Sequence, residues 1–311
     1  MKSSILGLHH ITAIANNTQL TYNFYTRILG LRLVKKTIAF DTPNTFQFYF
    51  GNETGAAGTL LAFLFWEHTL ATPPRPEHAA EIGYSVPAGS LDFWQQRFEQ
   101  WGVRHEPLAE RFGEPYLVCY DPDGLRLALI VSKTFDPRQP WATAEVSATV
   151  AIKGLHTVSL PVASAQPTAE LLTDVLGYRL LERVGPRTRY TTEAPAGATL
   201  LDLVEVPDLL FEPRTTGSVH HIAFRVRAKA AQQRIRQQLV GRGFQPILLP
   251  DRRYFQAISF REPSGMRFEI TTEGPGLLID EPLSALGQHL QLPAPYEHLR
   301  PQLEAQLSRL Q

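Results

Sequence analysis

The 311-residue sequence predicts an α+β fold: four βαβββ modules curled in pairs into two half-barrel domains, followed by a C-terminal tail. Three observations predict it. Strand-like segments of similar pattern recur four times, an amphipathic helical stretch closing on a glycine follows each, and the spacing between these landmarks is nearly constant.

The recurring strands are Leu8-His9-His10-Ile11-Thr12-Ala13, Glu81-Ile82-Gly83-Tyr84-Ser85-Val86, Leu155-His156-Thr157-Val158-Ser159-Leu160 and Val219-His220-His221-Ile222-Ala223-Phe224. Helices are expected over Leu20–Leu29, Leu91–Trp101, Thr168–Leu176 and Lys229–Arg242, closed by Gly30, Gly102, Gly177 and Gly243. Those glycines follow His10, Glu81, His156 and His221 by 20, 21, 21 and 22 residues. Two tight turns, Asp121-Pro122-Asp123-Gly124 and Glu262-Pro263-Ser264-Gly265, each feed a strand. Gly265 follows Gly124 by 141 residues, as His221 follows Glu81 by 140, so the second half repeats the first. The modules are expected near 5–66, 79–133, 153–206 and 218–273. Two domains follow, 1–133 and 153–273, each of two modules. A linker over 134–152 carries Pro137 and Pro140, and the tail over 274–311 packs against the domains or a neighbouring subunit.

Composition narrows the function class. Thirty Lys+Arg balance thirty Asp+Glu, which argues against a nucleic-acid partner. No apolar run approaches the roughly 18 residues of a membrane span, and no apolar stretch follows Met1-Lys2-Ser3-Ser4. The single cysteine, Cys119, fits a reducing compartment, and its place in Leu117-Val118-Cys119-Tyr120 reads as a buried, inert strand thiol. A cytoplasmic protein, expected as a homo-oligomer, is the reading.

Strand alternation selects candidate chemistry. In the strand after Gly265, Phe268 and Ile270 should face the covering helices, leaving Arg267, Glu269 and Thr271 toward the concave cup. The same logic sends His221 into the cup and His220 behind it, and groups His10 with Thr12 against His9. The first-strand position is occupied by His10, Glu81, His156 and His221, whereas the matching last-strand position holds Ala62, Ala128, Leu201 and Glu269. His221 and Glu269 thus coincide at two repeat landmarks. Two imidazoles and one carboxylate suit Fe(II) with coordination positions left open, and Zn²⁺ or Mn²⁺ as alternative occupants. A lyase of this architecture favours a fourth ligand, and Ala62 is apolar there, which tilts the reading toward an oxygenase. Spacing leaves the third ligand open between His156, if modules three and four pair, and His10, if modules one and four pair. Asp202 and Glu205 read as solvated strand-end groups or relics of a second cup. His68, His78, His105, His289 and His298 read as ordinary structural histidines.

These repeats, with Leu-Gly after the first and third helices (Leu29-Gly30, Leu176-Gly177) and the acidic-Pro-x-Gly turns, resemble the vicinal oxygen chelate superfamily. Within it, Leu8-His9-His10-Ile11-Thr12, the run from Gly30 to Thr37, Gly89 to Trp94, Asp251-Arg252-Arg253-Tyr254-Phe255, Phe260 to Pro263 and the tail from Leu286 to Arg300 resemble ring-cleaving hydroquinone dioxygenases. The resemblance implies Fe(II) held by His10, His221 and Glu269, and roles beside it for His9, Thr12, His220 and Arg252. It implies a small dihydroxylated aromatic and O₂ as substrates, and makes His156 the reserve ligand. Ser259 stands where such proteins often carry tyrosine. A metal-dependent lyase or thiol transferase, and a non-catalytic binding protein of the same fold, are the alternatives.

Overall fold

The computed structural model describes residues 4–40, 42–66, 78–194, 197–209 and 215–307; His68 lies outside them. The first module contributes β1 (Ile5–Ala15), β2 (Arg32–Ala39), β3 (Thr42–Gly51) and β4 (Leu60–Phe65). The second contributes β5 (Glu81–Val86), β6 (Ala109–Arg111), β7 (Glu114–Tyr120) and β8 (Arg126–Val131). The third contributes β9 (Gly154–Val162), β10 (Arg179–Val184), β11 (Arg187–Thr191) and β12 (Leu200–Glu205). The fourth contributes β13 (Val219–Val226), β14 (Ile247–Leu248), β15 (Phe255–Arg261) and β16 (Arg267–Pro275).

One helix crosses each module where periodicity placed it: Thr18–Asn23 continuing as a π turn over Phe24–Ile28, then Leu91–Gln100, Ala165–Asp174 and Lys229–Gly241. The first is capped by the Asn17 side chain, which accepts from the Leu20 amide at 2.9 Å. The closing glycines take left-handed backbone, Gly30 at φ 70° and Gly243 at φ 84°, as a helix C-terminus requires. Helix faces and the convex sides of the sheets share a continuous apolar core that includes Tyr25, Phe63, Trp94, Leu172, Phe224 and Ile270.

The sheets are built crosswise. Modules one and four form one eight-stranded sheet, in the order β14-β15-β16-β13-β1-β4-β3-β2. Modules two and three form the other, β10-β11-β12-β9-β5-β8-β7-β6. The half-barrels therefore do not coincide with the sequence halves 1–133 and 153–273. The physical reason lies in the inner edges. β5 and β9, the first strands of the second and third modules, pair antiparallel, and this leaves β1 and β13 as the two unpaired inner edges. Those then join antiparallel to each other.

The tail packs on the first sheet. Leu277 and Leu286 join a buried cluster with Val34, Tyr49, Leu60, Ala62, Tyr254 and Phe255 on the concave side. Leu290 bridges to Lys36, so the tail also covers the β2 edge. Gly287 approaches so closely that a Cβ there would sit 2.1 Å from the Leu33 carbonyl oxygen. The anchor is Lys35, fully buried, whose Nζ lies 2.6 Å from Asp280 and 2.5 Å from Glu281. Replacing Lys35 by Met strands two buried carboxylates, so a loss of about 3–5 kcal/mol in urea unfolding is expected, with faster proteolysis after residue 276.

Candidate metal centre

Two of the three register shifts in the β1–β13 pairing fall at the site. Leu8 is opposite Phe224 but His10 is opposite Ala223, so β1 holds an extra residue at His9. Thr12 is opposite His221 but Ala13 is opposite Val219, so β13 holds an extra residue at His220. A bulge interrupts alternation and re-aims side chains. Strict alternation puts His9 and His220 behind the sheet. Instead each lies against the following histidine, with Nδ1···Nδ1 separations of 2.9 Å for His9–His10 and 2.8 Å for His220–His221.

His10 and His221 meet across the seam with their Nε2 atoms 3.1 Å apart. The Glu269 carboxylate, presented by β16, lies 3.6 Å from His221 Nε2. One donor atom from each of the three residues falls within 4.8 Å of the others, and all three residues are buried. Two donors each about 2.1 Å from a shared divalent cation and at right angles to it lie about 3 Å apart, so these separations fit a common ion. In the tautomer that carries the proton on His10 Nδ1, donation to His9 leaves the Nε2 lone pair facing the cluster. The same holds for His221 and His220, and a partner on the far nitrogen is what usually orients a metal-binding imidazole.

Electrostatics keep these rings neutral. Burial pushes the His10 and His221 pKa well below the ordinary value, reinforced by the neighbouring histidines and by Arg252. Burial, then Arg225, holds His9 at about 3. Arg252 stands beside the carboxylate, its Nη1 3.4 Å from Glu269 Oε2 and its Nη2 3.5 Å from Oε1. Thr12 sits on β1 opposite His221, and its buried hydroxyl has no hydrogen-bond partner among the described residues. An orphaned hydroxyl here is costly unless a ligand completes it.

Beside the cluster lies a pocket of about 230 Å³ lined by Gln47, Trp66, His220, His221, Arg252 and Arg267, among others. Its size is below the roughly 300–1,000 Å³ of drug-sized sites, a scale suited to a single ring. Phe255 packs against both His9 and His10, with ring centroids 5.0 and 5.1 Å apart. Gln47, Trp66 and Arg267 were not singled out by sequence, although the alternation that put Glu269 in the cup put Arg267 there too.

His156 is elsewhere. It lies in the cup of the second sheet, where its Nε2 is 3.2 Å from Glu114. Arg189 joins Glu114 at 2.5 Å to Asp202 at 2.8 Å, and Arg187 adds a second cation to Asp202. Asp202 is thus fully buried and paired, not a solvated strand end. Glu205 does lie near the surface, paired with Arg183. Burial works against the charged forms of Glu81 and Glu114, yet Arg111 and Arg126 for the first, and His156 and Arg189 for the second, hold both at about 2. Cys119 is buried, and burial pushes its thiol pKa up, consistent with an inert group.

A family model described as the glyoxalase/bleomycin resistance protein/dioxygenase superfamily matches residues 7–129 and 154–270. The chain belongs to that superfamily. Among curated members, it is 38% identical over 98% of its length to "Putative ring-cleaving dioxygenase MhqO" of Bacillus subtilis, covering 96% of that protein. It is 29% identical to the chlorohydroquinone/hydroquinone 1,2-dioxygenase of Sphingobium indicum, over 96% of this chain and 94% of that one. Among solved superfamily structures, a Bacillus subtilis protein titled a putative dioxygenase superposes with a TM-score of 0.91 at 36% identity, covering 98% of this chain and 97% of that chain. Glyoxalase I from Zea mays shares the fold at 15% identity, with a TM-score of 0.62 over 86% of this chain and 92% of that one.

Two outcomes are expected. In metal-content measurements, His10→Ala loses stoichiometric binding, His9→Gln binds roughly 10–100-fold more weakly, and His156→Ala matches the parent. In metal-free protein, an unfolded His9 takes up a proton below about pH 6.5 whereas the folded one does not until about 3, so the unfolded state binds more protons between those values. Stability therefore falls as pH drops from about 6.5, and below about 4.5 Glu81 and Glu114 add to the loss as they approach their folded pKa of about 2. Asp121, which burial raises to about 7, opposes this trend, but it cancels when urea midpoints of His9→Gln and parent are compared. The variant should show the shallower pH slope between 6.5 and 4.5.

Proposed function

We propose that the protein is a ring-cleaving dioxygenase that uses Fe(II) at His10, His221 and Glu269 to open a dihydroxylated benzene ring, a hydroquinone in the first instance. The observation that carries this reading is the buried His-His-Glu cluster beside a pocket of single-ring size that His221 lines. The names of the similar proteins support ring cleavage and a hydroquinone-type substrate. When bound, the iron would supply the redox chemistry that joins O₂ to the ring, with open coordination positions for both reactants.

The remaining tasks fall to the chain. His220 lines the pocket and lies edge-on to Trp66, with ring centroids 5.7 Å apart; with its Nδ1 accepting from His221, its Nε2–H is placed to donate to a substrate oxygen. His9, away from the pocket lining, acts by orienting His10. Arg252 offsets the charge of Glu269 and can also stabilise negative charge developing on an oxygen in the pocket. The Thr12 hydroxyl offers a hydrogen bond to a group bound at the cluster. The burial that keeps the imidazoles neutral also keeps water from the reacting atoms.

With Fe(II) restored anaerobically, the protein is expected to consume one O₂ per hydroquinone opened in an oxygen electrode, with loss of the aromatic absorbance. Glu269→Gln should bring uptake to background. No uptake by protein with verified bound iron would overturn the oxygenase reading in favour of a lyase or thiol transferase.

A further inference from the structure

The pocket beside the cluster is electrostatically one-sided. Among the described residues its lining includes the guanidinium groups of Arg252 and Arg267, the rings of His220 and His221 and the amide of Gln47, and no carboxylate. Arg252 has Glu269 as counter-charge. Arg267 is half-buried, and its guanidinium forms no hydrogen bond or ion pair with any described residue. That is unusual within this molecule. The arginines of the second cup, Arg111, Arg126, Arg187 and Arg189, are each matched by Glu81, Glu106, Glu114 or Asp202.

Placement sharpens the point. Arg267 precedes Glu269 by two residues on β16 and so shares its face of the sheet, about 6.6 Å away along the strand. It therefore stands one substituted ring's length from the triad, on the pocket side, with Trp66 and Gln47 lining the same space. A guanidinium offers two parallel donors that match a carboxylate, and in a partly desolvated pocket an unmatched one favours an anion.

We infer that Arg267 is a specificity-determining residue that holds a carboxylate on the ring, so that the preferred substrate is a carboxylated dihydroxybenzene and not a neutral hydroquinone. The inference rests on the dioxygenase reading for the identity of the ring and deepens it by naming the substituent.

The test is anaerobic calorimetric titration of the Fe(II)-loaded protein with hydroquinone and with 2,5-dihydroxybenzoate. Both rings carry para hydroxyls, and because the carboxylate can also reach the metal beside its ortho hydroxyl, the contact to Arg267 is read from the change of the affinity ratio between parent and Arg267→Met. The parent is expected to favour 2,5-dihydroxybenzoate by about tenfold or more, the range of a charge-assisted contact. Arg267→Met should lower the ratio about tenfold, and Arg267→Lys, which keeps the charge but loses the fork, should lower it less. Because each ratio is taken within one protein, a loss of folded fraction cancels. Equal affinity of the parent for the two rings, or an unchanged ratio in Arg267→Met, would overturn the inference. Failure of the dioxygenase reading looks different: neither ring would support O₂ uptake, while the anaerobic binding preference would stand.

Discussion

The antiparallel seam between β1 and β13 is the constraint on which the site depends. It joins strands from opposite ends of the chain, and without it His10 and His221 have no reason to meet. Two of the three register shifts in that seam matter as much as the pairing itself. Each inserts one residue beside a histidine of the cluster, and each inserted residue is another histidine whose Nδ1 faces its neighbour's. A regular ladder with the same sequence would leave the ligand rings without those partners and free to rotate.

The two half-barrels solve one architectural problem differently. Each cup needs polar groups that span its two modules. In the second sheet the span is ionic: Arg189 on β11 reaches Glu114 on β7 and Asp202 on β12. In the first it consists of two neutral imidazoles and a carboxylate, donors whose lone pairs converge with one offset arginine beside them. Buried ion pairs roughly offset their own desolvation, so the second cup is self-sufficient. The first is left with an excess of donors, which is the electrostatic signature of a cation site.

Much of this was legible in the sequence, and the rest was hidden for definable reasons. The repeat spacing located the four strands and helices, because the βαβββ unit fixes the distance from strand to closing glycine. Glu269 and His221 were visible because they fall on matching landmarks, and alternation is reliable for a strand such as β16 that lies between two regular neighbours. The choice between His10 and His156 was not legible, since strand edges that pair over some two hundred residues leave no local trace. The resemblance pointed to His10, and the crosswise sheets bring that residue to His221. The orientation of His9 and His220 was misread because a bulge is a property of two strands together. Arg267 went unnoticed because a lone arginine on a strand carries no signal until the groups that fail to neutralise it are known.

The crosswise pairing of modules also governs how the protein comes into being on the ribosome. β1 emerges first, yet its inner edge and its histidine wait for a strand more than two hundred residues behind it, whereas the second sheet closes from neighbouring modules. The first module must therefore remain open while the middle of the chain folds, a topology rich in distant contacts and slow to close. A prematurely terminated product would carry half of one cup and so lack the full ligand set. Assembly of the His-His-Glu cluster is thereby tied to completion of the polypeptide, because His10 waits for both His221 and Glu269.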